Sequence, residues 1–193
     1  MAIDLGTTQT SGTELEGLVR RTVEELLNDR EAKKETKPKK MALIATKGTL
    51  DWAYPPLVLA GTAASLGWET GIFFTFYGLN IVHKEKSKKI SIAPIANPAM
   101  PMPIPVPNLL GSLPGMTPFA TFMMKKKFKD AGVASIKELT DNAIEAGVKM
   151  FPCAMTMQVF GYKKTDFMDG CEDLCGAAAF LSWAADADVT LAF

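Results

Sequence analysis

Apolar residues recur along this chain with two different spacings. Leu15, Leu18, Val19, Val23, Leu26 and Leu27 fall three and four apart, which predicts a helix with one apolar stripe. Thr13, with Glu16 three residues later, reads as the capping box that opens it. Residues 1–12 are polar, rich in Thr and Gly, and without an apolar period, so a disordered start is expected. Residues 28–40 are charged and end in Lys37-Pro38-Lys39-Lys40, which reads as a linker. Residues 1–40 are therefore read as an appendage whose apolar face should dock on the domain or on another subunit.

From Met41 the pattern changes to short apolar runs alternating with helix-length segments. Met41 to Thr46 is a continuous apolar run, as expected for a strand buried on both faces. Leu50 to Leu66 is helix-length, interrupted early by Pro55-Pro56 and closed by Gly67. Trp68 to Phe76 is rich in aromatic and β-branched residues and predicts the second strand. Ser135 opens a further helix with Glu138 at the capping-box position, ending at Gly147. Val148 to Cys153 is the third strand, Asp173 to Ala185 a helix, and Asp188 to Phe193 the last strand. Strands alternating with helices predict an α/β fold with a doubly wound, mainly parallel sheet over residues 41–193 and a helix appended in front.

Residues 90–124 break the alternation. The stretch carries no charge and eight of the twelve prolines, and basic clusters flank it at Lys84–Lys89 and Lys125–Lys129. Its length would allow a membrane span, but the prolines argue against one continuous helix. A re-entrant loop entering lipid from the cytoplasmic side would suit the basic flanks. The favoured reading is an extended apolar loop covered by its own fold or by a neighbouring subunit, because unsatisfied backbone in lipid is costly. With the stripe at 15–27, it leads us to expect a homo-oligomer.

Charge narrows the function classes. Acidic and basic residues balance at 21 each, which argues against a nucleic-acid partner. Three cysteines and no secretory signal read as a reduced cytoplasmic protein, with a membrane-peripheral variant if residues 90–124 meet lipid. One histidine, His83, excludes a multi-histidine metal site, and neither metal nor other cofactor is expected. His83 adjoins a lysine run and reads as solvated. Lys47-Gly48-Thr49 resembles the end of a P-loop, but the preceding glycine is missing, so nucleotide binding is not expected.

Cys153 is the strongest chemical candidate. It follows a strand and precedes a helix, at the sheet edge where α/β folds place their chemistry. Amides and the positive end of the helix dipole there stabilise a thiolate and make it nucleophilic. The plain alternative is a buried cysteine packed as a small hydrophobe.

Leu43 to Asp51, Phe73-Phe74-Thr75-Phe76-Tyr77-Gly78-Leu79, Ala146 to Met157 with Gly161, and Gly176-Ala177-Ala178 with the terminal strand together resemble the DsrE/DsrF-like family. The resemblance covers residues 41–193, and the Pro/Met-rich insertion is similar to a branch found with sulfur-oxidation proteins. It implies a flavodoxin-like three-layer sandwich. It also implies a sulfur carrier or sulfurtransferase that holds persulfide or thiosulfonate sulfur on Cys153. The sulfur would come from inorganic sulfur compounds and pass to a small TusA-like carrier. Pro152 stands where relatives often have a small residue, and Thr156 where Ser is frequent; the second keeps a hydroxyl. An oligomeric scaffold, membrane-associated through residues 90–124, is the alternative function, and a thiol peroxidase is a weaker one.

Around Cys153, a substrate pocket is expected from Thr46, Asp51, Thr75, Tyr77, Met155 and Thr156. Thr75 and Tyr77 could hydrogen-bond a thiosulfonate, though an interface role is equally consistent. For Asp51 the favoured reading is a first-turn helix residue facing the dipole. Met155, Met157 and Phe160 could shelter a persulfide, although plain core packing is the favoured reading of such methionines. Cys171 and Cys175 are four apart, on one face if helical, and either could resolve or accept sulfur. Buried structural cysteines are the plain alternative, favoured by Glu172 and Asp173, which would raise a thiol pKa.

Overall fold

The computed structural model describes residues 12–93, 115–173 and 175–193. The chain divides after Pro38 into two units. The first contains helix α1, Gly12–Thr36, on which the side chains of the Leu15–Leu27 stripe are exposed. The helix continues through residues 28–36, where the sequence predicts a linker. That stretch is charged but made largely of good helix formers, and nothing stops it before Pro38.

In the second unit, β1 (Lys40–Ala45), β2 (Glu69–Phe74), β3 (Lys149–Pro152) and β4 (Val189–Ala192) form one parallel sheet in the order β3-β2-β1-β4. The register places Leu43 beside Ile72 and Leu191, and Phe73 beside Phe151. Helix α2 (Leu50–Ser65) connects β1 to β2. Between β2 and β3 lie α3 (Leu79–Val82), α4 (Met116–Asp130) and α5 (Ile136–Glu145). Helices α6 (Ala154–Phe160) and α7 (Ala177–Ala184) lead to β4. This is the expected doubly wound α/β arrangement.

Alternation along the strands sorts the core into two layers. Leu43, Ile72, Phe74 and Met150 pack with Leu50 and Leu57 of α2 and Ile136 of α5. Ala42, Phe73, Phe151 and Cys153 pack on the other face with Phe180 of α7. The capping box of α5 forms as predicted: Glu138 N–H donates to Ser135 Oγ, and Ser135 N–H donates to the Glu138 carboxylate at 2.7 Å.

Three segments differ from the sequence reading. Helix α2 runs unbroken through Pro55 and Pro56. Each proline removes only the bond to the carbonyl four residues back, at the exposed residues Asp51 and Trp52, where water can replace it. Met116 to Met124, read as part of an extended loop, are the first turns of α4. Pro118 sits in the first turn, where its missing N–H has no helical partner to lose. Residues 94–114, the rest of that expected insertion, lie outside the described residues. Among the described residues, no helix is long and apolar enough to cross a membrane.

The third difference is at the sheet edge. No helix begins at Cys171; Cys171 and Cys175 instead make isolated parallel bridges at the β3 edge. Met150 bridges Cys171, and Cys153 bridges Cys175. Glu172 N–H donates to Met150 O at 2.9 Å, Cys175 N–H to Pro152 O at 3.2 Å, and Ala154 N–H to Cys175 O at 3.1 Å. Helix α7 starts only after Gly176.

Candidate functional site

Cys153 is where β3 becomes α6. Its N–H still belongs to the sheet, donating to Phe74 O at 2.9 Å, while its C=O accepts the first helical bond from Met157 N–H at 3.0 Å. It is the N-cap residue of α6, and its thiol is free and only 4% exposed. Burial pushes the thiol pKa up, but the hydroxyl and amide of Thr156, the Thr75 hydroxyl and the Met155 amide outweigh it and hold the pKa below its ordinary value. The thiol makes no capping bond of ordinary geometry.

A small network orients those donors. Thr75 Oγ1 and Thr156 Oγ1 lie 3.1 Å apart, and Phe76 N–H donates to Thr156 Oγ1 at 3.2 Å. Each hydroxyl has one proton, so the Thr75–Thr156 bond uses one and leaves the other for sulfur. Phe76 has φ +47°, the one positive value outside glycine among the described residues. Such a backbone costs about 1 kcal/mol or more. Here it points the Phe76 amide at Thr156 while its ring stays 53% exposed.

Replacing Thr156 by Val keeps the shape and deletes the hydroxyl. We expect the pH profile of Cys153 alkylation by iodoacetamide to move to higher pH, with a severalfold slower rate at neutral pH. Thr156→Ser should restore it. An unchanged profile in the Val variant would exclude the hydroxyl as a thiolate donor.

Of the six expected pocket residues, the structure brings Thr75 and Thr156 to Cys153. Thr46 instead donates its hydroxyl to Phe193 O at 2.6 Å, tying β1 to the last residue. Asp51 is a first-turn residue of α2. Tyr77 stacks on Phe160 at 5.8 Å, and its side chain is otherwise exposed. Met155 is 61% exposed and shelters nothing. Met157 is buried in the layer on the opposite face of the sheet. The cover over Cys153 comes from Phe73, Phe151 and Phe180, which the sequence reading missed. Period-two alternation along β2 and β3 was the available signal, since Phe73 and Thr75, and Phe151 and Cys153, must share a face.

The two other cysteines part company. Cys171 packs with the layer of Leu43 and Met150, and burial, then Asp169, pushes its thiol up to about 11. Cys175 lies in the Cys153 layer; burial and the charge of Cys153 raise its pKa. His83 is not solvated: it is 8% exposed, packs edge-on against Tyr162 and Phe167, and is held below its ordinary pKa chiefly by burial. Its Nδ1 accepts from Glu85 N–H and Lys86 N–H, a structural role. A Cβ on Gly48 would lie 2.2 Å from Tyr77 O, so close packing accounts for that glycine. A cleft of ≈ 430 Å³ lined by Tyr54, Lys88, Lys125, Phe128 and Lys129 contains none of the site residues.

Residues 37–192 match the model of the DsrE/DsrF/DrsH-like family. The sulfur carrier protein DsrE2 of Allochromatium vinosum is 50% identical to this chain over 157 residues, covering 79% of the chain and 97% of that protein. The uncharacterized protein YrkE of Bacillus subtilis is 31% identical over 161 residues, covering 79% of the chain and 96% of that protein.

Proposed function

The chain belongs to the DsrE/DsrF/DrsH-like family, and from that premise we propose that it traffics sulfur, holding it on Cys153 as a persulfide or thiosulfonate and passing it to a partner thiol. The observation that carries this reading is a buried thiol whose surroundings favour its anion. Sulfur relay requires that combination. A thiolate must attack the sulfane sulfur of the donor and expel the donor's remainder. The loaded form must then outlast stray thiols and water, and Phe73, Phe151 and Phe180 close the site on the sheet side. The 50% identical relative named as a sulfur carrier supports the same reading.

The acceptor is a small carrier of TusA-like type in the cytoplasm, and the activity is sulfurtransferase-like. Incubation with polysulfide, thiosulfate or tetrathionate, followed by intact mass spectrometry, should add sulfur to one thiol. Peptide mapping should place it on Cys153, and a protein unchanged by all three donors would refute the proposal.

Self-assembly belongs to the same proposal. The outer edge of β4 has no strand partner among the described residues, and Leu191 on it is exposed. Light scattering should report more than one copy per particle; a monodisperse monomer would remove this element.

A further inference from the structure

The edge segment after Gly170 puts a second thiol beside the first. Cys175 is the parallel bridge partner of Cys153. Its backbone bonds to both neighbours of Cys153, through Pro152 O and Ala154 N–H. Adjacent strands lie about 4.8 Å apart, inside the Cα separation of roughly 4.4–6.8 Å that a disulfide spans. Parallel partners project their side chains to one face, and both cysteines belong to the buried layer of Phe73, Phe151 and Phe180. Cys171 lies with the opposite layer.

We propose that Cys175 is the resolving thiol of Cys153: it attacks the sulfur-loaded cysteine, closes a Cys153–Cys175 disulfide and expels the sulfur as hydrosulfide. The proposal rests on the sulfur-carrying reading above. The Cys175 thiolate attacks Cys153 Sγ, a bond forms between the two cysteine sulfurs, and the bond from Sγ to the sulfane sulfur breaks. The electron pair leaves with the sulfane sulfur, which takes up the proton shed by Cys175 and departs as HS⁻. The two cysteines are oxidised together and the sulfane sulfur is reduced, so no outside oxidant is needed. With a thiosulfonate on Cys153, sulfite leaves in the same way.

The pair has a built-in order. In the empty protein, Cys175 is a thiol donating to Gly176 O at 3.4 Å, and burial, then the charge of Cys153 beside it, oppose its ionisation. Loading moves that charge outward to the terminal atoms and relieves the opposition. Loading thus favours Cys175 as the attacking thiol. Aromatic cover favours attack by this neighbour over attack by bulk thiols.

The test compares wild type, Cys175→Ser, Cys175→Ala and Cys171→Ser after loading with polysulfide and removal of excess donor. All four should first show the added sulfur on Cys153. Wild type and Cys171→Ser should then release hydrosulfide and yield a Cys153–Cys175 peptide lighter by two hydrogens. Both Cys175 variants should keep their sulfur about tenfold longer or more. Diamide treatment of unloaded wild type should give the same disulfide, a check independent of loading. Equal lifetimes in all variants, or a disulfide that maps to Cys171, would overturn the proposal. So would a longer lifetime in the Cys175 variants without the disulfide in wild type. Absence of loading in every variant would instead defeat the sulfur-carrying reading, and this step with it.

Discussion

Cys153→Ser should reduce sulfur loading to background, because an alcohol at this position cannot supply the thiolate that attacks a sulfane sulfur. The wild-type rate should rise with pH through the depressed pKa of Cys153 and level off at lower pH than for an unassisted thiol. Stability carries the same signature. A folded-state pKa below the unfolded value means that the thiolate's contacts contribute fully above the unfolded value, about 8.5 for cysteine. The contribution is lost as pH falls through the folded value. Urea midpoints of wild type should therefore rise with pH in that window relative to those of Cys153→Ser. Loading of Cys171 or Cys175 in the serine variant at the wild-type rate would show that Cys153 is not the special thiol.

Gly78→Ala should be the most damaging of the small substitutions. Gly78 has φ −58° and ψ −28°, which any residue can adopt, so the constraint is space and not backbone freedom. A Cβ there would lie 2.1 Å from the carbonyl oxygen of Ala45 and 2.7 Å from its carbon. These are backbone atoms of a buried strand and cannot rotate aside. The same carbonyl accepts Thr75 N–H at 3.0 Å, and Gly78 N–H donates to Thr46 O at 3.1 Å. Alanine must push the Thr75–Gly78 turn away from β1, and Phe76 with it. We expect a loss of about 2–4 kcal/mol in urea unfolding, together with slower Cys153 alkylation. Gly61 in α2 has nothing within 4 Å, and Gly61→Ala should be neutral or stabilising by up to about 1 kcal/mol. Equal midpoints for the two variants would refute the steric account.

The sheet was legible because its strands are short apolar runs separated by turn and cap residues. Ser135 with Glu138 marked the start of α5 through local chemistry alone. Cys153 was legible for the same reason, lying at one such junction. Contacts between distant segments were not. The stretch from Cys171 to Cys175 is helix-compatible in sequence, and only the bridges of these two cysteines to Met150 and Cys153, some twenty positions earlier, set their place. His83 looked solvated beside its lysines, but Tyr162 and Phe167 come from far along the chain to bury it. The cover over Cys153 needed the knowledge of which strand face α7 would occupy, which no local pattern states.

The edge pairing also has a consequence for how this site can diverge. From Met150 to Cys153 is three steps along β3, whereas from Cys171 to Cys175 is four along its neighbour. Three steps in register already change the face, so the fourth position is a surplus, the count of a β-bulge, that the bridge between Cys153 and Cys175 absorbs. The second thiol is thus specified by its pairing with Cys153 and not by its distance from Cys171. Substitutions between the two cysteines should drift with little penalty in an evolving lineage, and a single-codon deletion there should keep the two thiols together, because the shortened count would equal the three steps from Met150 to Cys153.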